Sequence, residues 1–180
     1  MEEYWQWRVP GVRVLGIDPG IATCGYGVVE GSASQARLLD CGTIRPAGAG
    51  HERLAPLYAA LRELLARWAP EVAAVELLYH NRNVRTAAEV GQARGVILLA
   101  LVESGVEVVE YTPTAVKLAV AGTGGANKAQ LQRLVQVHLR LSEPLPSDHA
   151  ADAVGMALCH LMTCGLRGRV DAARARAMPQ

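Results

Sequence analysis

The sequence predicts an α/β fold with a five-stranded mixed sheet flanked by helices. Three short apolar strands follow one another near the start with only turns between them, and two later strands alternate with long helical segments. Strands joined by short turns pair antiparallel, whereas strands joined through helices pair parallel. The predicted order is βββαβαβααα, an antiparallel meander extended by parallel strands.

Each element has its own signal in the sequence. Thr112 before Pro113 and Asn127 before Gln130 are typical N-caps, and Pro19 ends the first strand in a turn. Strands are predicted at residues 12–18, 23–30, 36–44, 72–76 and 106–111. Helices are predicted at about 52–69, 84–104, 113–121, 128–140 and 148–164.

The 180 residues are expected to form one domain over 12–166, with a lead-in at 1–11 and an Arg-rich tail at 167–180 that is either frayed or helical. A hydrophobic fraction of 51% excludes an intrinsically disordered chain. The longest strongly apolar run, 96–102, is too short for a membrane span, and the start does not resemble a signal peptide.

The cysteines point to a reducing compartment. Their spacing forms no C-x-x-C pair or zinc pattern, which predicts free, buried or half-buried thiols in a cytoplasmic protein. They are Cys24, Cys41, Cys159 and Cys164.

Charge is distributed unevenly along a chain of formal net charge +1. The segment 112–142 contains no Asp or Glu but holds Lys117, Lys128, Arg133 and Arg140. The segment 80–95 adds further arginines, including Arg82 and Arg85. Such segments can present a local field to a polyanion, although an ordinary solvated surface would look the same.

Acidic residues fall where a catalytic site is expected. Asp18 ends the first strand and Glu76 ends the fourth, and the carboxyl ends of parallel strands share one edge of a sheet. His149 and Asp152 are three residues apart on one face of the last helix. Together these oxygen-rich donors favour Mg²⁺ or Mn²⁺, and two such ions can hydrolyse a phosphodiester.

Structural explanations remain open for most of these residues taken singly. Asp18 could simply form the turn, His149 could be an ordinary surface or core histidine, and Asp148 could stabilise the helix dipole. Glu76 is harder to explain in this way, because an unpaired buried carboxylate is costly.

Several short motifs follow one another along the chain. They are GIDPG at 16–20, GYGVVE at 25–30, AVE at 74–76, GQARG at 91–95 and HAADA at 149–153, with VK at 116–117 and NK at 127–128 between the last two. In this order and at these spacings the chain resembles the RuvC-type Holliday-junction resolvases over nearly its whole length, from about Arg13 to Leu166.

The resemblance implies a ribonuclease-H-like fold and a homodimer that nicks two symmetry-related strands of a four-way DNA junction. It implies metal-binding and catalytic roles for Asp18, Glu76, His149 and Asp152, with two Mg²⁺ or Mn²⁺ ions per site. Among DNA-binding residues it implies Lys117, Lys128 and Tyr79, the last either stacking on bases or packing on its loop; Arg82 and Arg85 are candidates from their charge. A branch-migration helicase complex is the partner that the family implies.

His149 is a departure from the pattern of many family members, which carry Asp at this position. A neutral imidazole makes the site softer and less negative, which predicts better cleavage with Mn²⁺ than with Mg²⁺. Asp148 could instead supply the fourth carboxylate.

Two other function classes stay open from the residues alone. The Asp-Pro-Gly turn is also similar to the phosphate loop of actin-like ATPases, and a non-catalytic junction-binding protein could share the fold. In the long helix, Ala87, Gly91 and Gly95 form a flat stripe that could pack on its own sheet or on a partner's helix.

Overall fold

A single five-stranded sheet organises the protein. The computed structural model describes residues 11–77 and 84–177 and, within them, all side chains except those of 84–86 and 165–177. The strand order is β3-β2-β1-β4-β5, antiparallel between β1, β2 and β3 and parallel between β1, β4 and β5. The strands are β1 (Val12–Asp18), β2 (Cys24–Gly31), β3 (Ala36–Ile44), β4 (Val72–Glu76) and β5 (Glu107–Tyr111). The helices are α1 (Leu54–Trp68), α2 (Val84–Glu103), α3 (Pro113–Ala121), α4 (Lys128–Leu139) and α5 (Asp148–Ala177).

The predicted fold class and element order are confirmed. The structure also shows that β1 and β4 are neighbours, which the sequence left open. The largest difference in bounds is at α5, which continues past Cys164 to Ala177. Residues 169–177 are mostly Ala and Arg, which are strong helix formers and sustain the helix there. No break in secondary structure therefore separates the tail from the preceding helix.

Both predicted N-caps are present. Thr112 accepts a hydrogen bond from the Ala115 amide at 3.1 Å, and Asn127 accepts one from the Gln130 amide at 2.9 Å. The Gln130 side chain in turn accepts from the Asn127 amide, which completes a capping box. The start of α4 is therefore fixed by its own sequence.

Helices cover both faces of the sheet. Leu15 and Ile17 of β1 pack with α1 and α2 on one face, and Val14 packs with α3, α4 and α5 on the other. Because side chains alternate along a strand, Gly16 and Asp18 share the second face with Val14. The same alternation in β4 places Glu76 on that face.

Helix α5 lies directly on glycine backbone in β1 and β2. A Cβ atom at Gly16 would overlap the Ala153 carbonyl, one at Gly25 would overlap the His149 carbonyl, and one at Gly27 would overlap Val154. These three positions leave room for α5 to pack with its own backbone against the sheet. The distance between α5 and the sheet depends on these glycines, and so does the position of the first turn of α5.

The glycine stripe of α2 faces away from the sheet. Gly91 and Gly95 are exposed, and a Cβ at either position would meet nothing within 4 Å. The same side of the helix exposes Leu99 and Val102, by 52% and 67%. Of the two interpretations left open by the sequence, packing of this stripe on its own sheet is wrong.

The four cysteines are free, as predicted. Cys24 and Cys159 are buried and Cys41 is half-buried, but Cys164 is exposed. Among the side chains of α5 that the structure describes, Leu161 is the last buried one. None of the helices that the structure describes is long and apolar enough to cross a bilayer.

The contact between α5 and β1 predicts a strong penalty for Gly16→Ala. Since the new methyl group would meet helix backbone rather than a flexible side chain, we expect a loss of about 3 kcal/mol in the free energy of unfolding, measured by urea denaturation. Gly155→Ala on α5 is the matched control: its Cβ would find ordinary contacts at 3.6 Å, and Ala favours the helix, so stability should hold or rise. Equal stability of the two variants would contradict this account of the packing.

Candidate active site

Two carboxylates meet at the edge of the sheet where β1 and β4 end. The parallel register pairs Ile17 with Val75, so that Asp18 and Glu76 each lie one residue further along neighbouring strands. Both belong to the face covered by α5. The convergence of these two acids, expected if the first and fourth strands are neighbours, is confirmed. It follows from the adjacency of β1 and β4 together with strand direction and side-chain alternation.

The first turn of α5 adds an imidazole and a third carboxylate. Nδ1 of His149 lies 2.6 Å from Oδ2 of Asp18. Gly25 is the antiparallel partner of Asp18, and the absence of a side chain there leaves room for His149. Asp152, one helical turn further along α5, is close enough to both Asp18 and Glu76 to raise their pKa values.

Glu76 carries the least compensated charge of the cluster. Burial raises its pKa above the ordinary value, and the nearby charges of Asp18 and Asp152 raise it further. Within the described residues, no hydrogen-bond donor or cation contacts its carboxylate, which is a costly arrangement for a half-buried acid.

Asp18 is also destabilised as an anion. Burial raises its pKa, and Asp152 adds to the effect, while the hydrogen bond and charge of His149 and the charge of Lys128 oppose it. Its side chain is only 15% exposed. The site therefore concentrates negative charge that the protein itself only partly neutralises.

A lysine from α4 borders this cluster. Nζ of Lys128 lies 3.1 Å from Oδ2 of Asp152 and 3.2 Å from Oδ2 of Asp148. Burial lowers the pKa of Lys128, but the hydrogen bonds and charges of the two aspartates outweigh it and raise the pKa above its ordinary value. The ammonium group therefore stays charged at neutral pH.

A pocket of about 230 Å³ lies beside the acids. Lys117 from α3, the other of the two lysines in the chain, shares its lining with Glu76, Lys128 and Asp152. Apolar side chains form the rest: Pro113, Val116, Leu131 and Met156. Both lysines that are predicted to contact DNA thus lie next to the predicted catalytic carboxylates.

The donor set suits a hard divalent cation, but it is not arranged as a finished coordination sphere. No group of three His, Cys, Asp or Glu side chains within the described part of the chain is placed to hold a metal ion. Asp18 is turned towards His149 and Asp152 towards Lys128. Among the described residues the carboxylate of Glu76 has no partner and lies near two like charges, and a cation would stabilise such a position.

Three of the predicted DNA-binding side chains lie outside the described part of the structure. Tyr79 and Arg82 lie outside the described residues. Arg85 lies in the first turn of α2, and its side chain is outside the description. All three belong to the connection that leaves β4 directly after Glu76 or to the helix that follows it.

Two residues near the site had no functional role in the sequence-based prediction. Gly25 belongs to a recognised motif, but its importance follows only from its pairing with Asp18. Gln132 donates a 2.8 Å hydrogen bond to Asp148, and its only signal in the sequence is its position four residues after Lys128 on α4.

Comparison with known proteins identifies the family. The family model described as crossover junction endodeoxyribonuclease RuvC matches residues 14–160. The chain is 53% identical over 154 residues to the protein of that name from Chloroflexus aggregans, covering 84% of this chain and 94% of the relative. It is 54% identical over 149 residues to the one from Moorella thermoacetica, covering 82% and 89%.

A solved structure gives the same answer. T. thermophilus RuvC in complex with a Holliday junction substrate is 38% identical, with a TM-score of 0.82 over 87% of this chain and 96% of that one. Sequence and fold therefore agree along most of the molecule, and the chain belongs to the crossover junction endodeoxyribonuclease RuvC family.

Proposed function

We propose that this chain cuts four-way DNA junctions in recombination and repair. It does so by hydrolysing one phosphodiester bond at the edge of the sheet where Asp18 and Glu76 end β1 and β4. The observation that carries the proposal is the convergence of Asp18, Glu76, His149 and Asp152 on one edge of the sheet. Membership of a junction endonuclease family supports the substrate class. The junction-bound T. thermophilus relative supports it as well.

Asp18, Glu76 and Asp152, with the imidazole of His149, are the residues that would hold two Mg²⁺ or Mn²⁺ ions. Such ions activate a water and stabilise the leaving oxygen of a phosphodiester. The protein contributes the half-buried carboxylates that need a cation and the His149–Asp18 contact, which orients both side chains. Because Asp148 is turned to α4, its position supports His149 rather than Asp148 as the fourth ligand.

Lys117 and Lys128 would bind the phosphates on either side of the scissile bond. Both line the pocket beside the acids, so the same DNA strand can reach cations and carboxylates together. Binding should weaken steeply as salt rises, because phosphate contacts release counterions. Tyr79, Arg82 and Arg85 remain predicted DNA contacts, and a branch-migration helicase partner and a cytoplasmic location remain predictions as well.

A second copy of this chain is the proposed occupant of the exposed α2 face formed by Gly91, Gly95, Leu99 and Val102. Glycines allow two helix backbones to approach closely, and the two apolar side chains would be covered by the contact. A twofold dimer would present two active sites at a fixed separation, as symmetric nicking of a junction requires.

The variants Asp18→Asn and Glu76→Gln test the proposed active site. Each should abolish junction cleavage while retaining junction binding, as measured by gel electrophoresis and fluorescence anisotropy with a linear duplex as control substrate. Glu143→Gln, which removes an exposed acid from the connection before α5, should cleave normally. Cleavage by either active-site variant at the wild-type rate would contradict the proposed site.

The same two variants should be more stable than wild type in EDTA. In the wild type, the raised pKa values of Asp18 and Glu76 mean that each acid binds its proton more tightly in the folded state than in the unfolded state. The folded state therefore loses stability as the pH rises from the ordinary pKa through the raised one, and the loss is complete above the raised pKa. We expect the melting temperature at pH 8 to rise by roughly 3 °C, the effect of about 1 kcal/mol in a domain of this size. Adding Mn²⁺ should stabilise the wild type and not Asp18→Asn. If neither the substitutions nor Mn²⁺ change the melting temperature, the metal assignment is overturned.

Replacing His149 tests the predicted metal preference. Wild type should cleave faster with Mn²⁺ than with Mg²⁺, and His149→Asp should reduce that ratio by about tenfold, because a carboxylate favours the harder ion. Single-turnover rates with each metal measure it. His149→Ala serves as the control for simple loss of the ligand, and an unchanged metal ratio in His149→Asp would show that His149 is not a ligand.

The dimer is tested with Leu99→Arg. A buried charge at the α2 contact should convert the protein to a monomer in light scattering after size exclusion, with the circular dichroism spectrum unchanged. Leu118→Arg on α3 is matched in exposure, at 58% against 52%, and should leave the dimer intact. Dimers in both variants would exclude the α2 face as the interface.

A further inference from the structure

Asp148 contacts α4, although it is next to His149 on the first turn of α5. Its Oδ1 accepts a 2.8 Å hydrogen bond from Nε2 of Gln132, and its Oδ2 lies 3.2 Å from Nζ of Lys128. Lys128 in turn contacts Asp152 at 3.1 Å. A continuous chain of contacts thus runs from α4 through Asp148 and Lys128 to a carboxylate of the active site.

The sequence fixes both sides of this arrangement. Lys128 and Gln132 are four residues apart and lie on one face of α4, whose start is set by the capping box at Asn127. Ser147 caps α5 by accepting a hydrogen bond from the Ala150 amide, which places the next residue at the very start of the helix. Asp148 and Lys128 are therefore presented to each other by two defined helix ends.

We infer that Asp148 is a positioning residue, which holds the Lys128 ammonium group beside Asp152 at the rim of the active-site pocket. This inference rests on the proposed function, because Lys128 matters to catalysis only if the pocket receives a DNA phosphate. Lys128 is half exposed, and a free lysine side chain samples many rotamers. Contacts with two carboxylates restrict it to the place where the phosphate must arrive.

The contacts of Asp148 argue against a direct role as a metal ligand. Each of its two oxygens already has a partner on α4, and its side chain is 67% exposed. The position next to Asp18 is taken by the imidazole of His149. Asp148 therefore acts on the site through Lys128.

A double-mutant cycle tests the inference. Wild type, Asp148→Asn, Lys128→Ala and the double variant are compared by single-turnover cleavage of a synthetic four-way junction with Mn²⁺ and by junction binding in EDTA. Asp148→Glu keeps the charge and should rescue most of the activity. Glu143→Gln removes another exposed acid, one that has no ion pair with Lys128, and it controls for the general loss of negative charge near DNA. Urea denaturation checks that all variants are folded.

We expect Asp148→Asn to lower the cleavage rate by about tenfold, the usual size of an effect transmitted through a supporting residue. Binding should weaken by about threefold, the cost of ordering one long side chain. In the Lys128→Ala background, Asp148→Asn should change neither quantity by more than about twofold, because the residue it positions is gone.

Other outcomes separate the alternatives. A full loss of cleavage on Asp148→Asn that persists in the Lys128→Ala background would overturn the inference in favour of a metal ligand or an effect through His149. An effect equal to that of Glu143→Gln would overturn it in favour of general electrostatics. If wild type binds the junction without cutting it, the proposed function fails. The double-mutant cycle of junction binding still tests the inference in that case: coupling between Asp148 and Lys128 would support it, and additive effects would overturn it.

Discussion

The close packing of α5 on the glycine positions of β1 and β2 is the constraint on which the site depends. Gly16, Gly25 and Gly27 let helix backbone rest directly on strand backbone. This contact brings the first turn of α5 within hydrogen-bonding distance of the end of β1, so that His149 meets Asp18. Any side chain at these positions would lift the helix and separate the histidine from its partner.

The same packing forces like charges together, and the protein does not fully compensate them. Asp18 and Glu76 have raised pKa values because they are partly buried and lie near other acids. Lys128 relieves Asp152 but makes no contact with Glu76 in the described structure. Sites that keep uncompensated charge sacrifice stability for function. Here the uncompensated charge is negative and lies on carboxylate oxygens, which are ligands of divalent cations.

The sequence was sufficient for the parts of the site that depend on local rules. Strand ends and side-chain alternation predict that Asp18 and Glu76 share an edge, and cap signals predict where α3 and α4 begin. Local rules could not decide between Asp148 and His149, because adjacent helix residues point about 100° apart and only the docking of α5 determines which one faces Asp18. The contacts of Lys128 and Gln132 with Asp148 depend on the packing of α4 against α5, for which no local signal exists. For the tail after residue 166 the sequence left a frayed and a helical state open, and the structure shows it helical to Ala177, in keeping with its content of Ala and Arg.

The central claim is that the acids at this edge of the sheet bind divalent metal ions. Anomalous diffraction from crystals grown with Mn²⁺, recorded near the manganese absorption edge, tests it most directly. We expect anomalous peaks within coordination distance of Asp18, Glu76 and Asp152, with the His149 imidazole among the ligands. Peaks only elsewhere on the protein, with these carboxylates unchanged at saturating Mn²⁺, would contradict it.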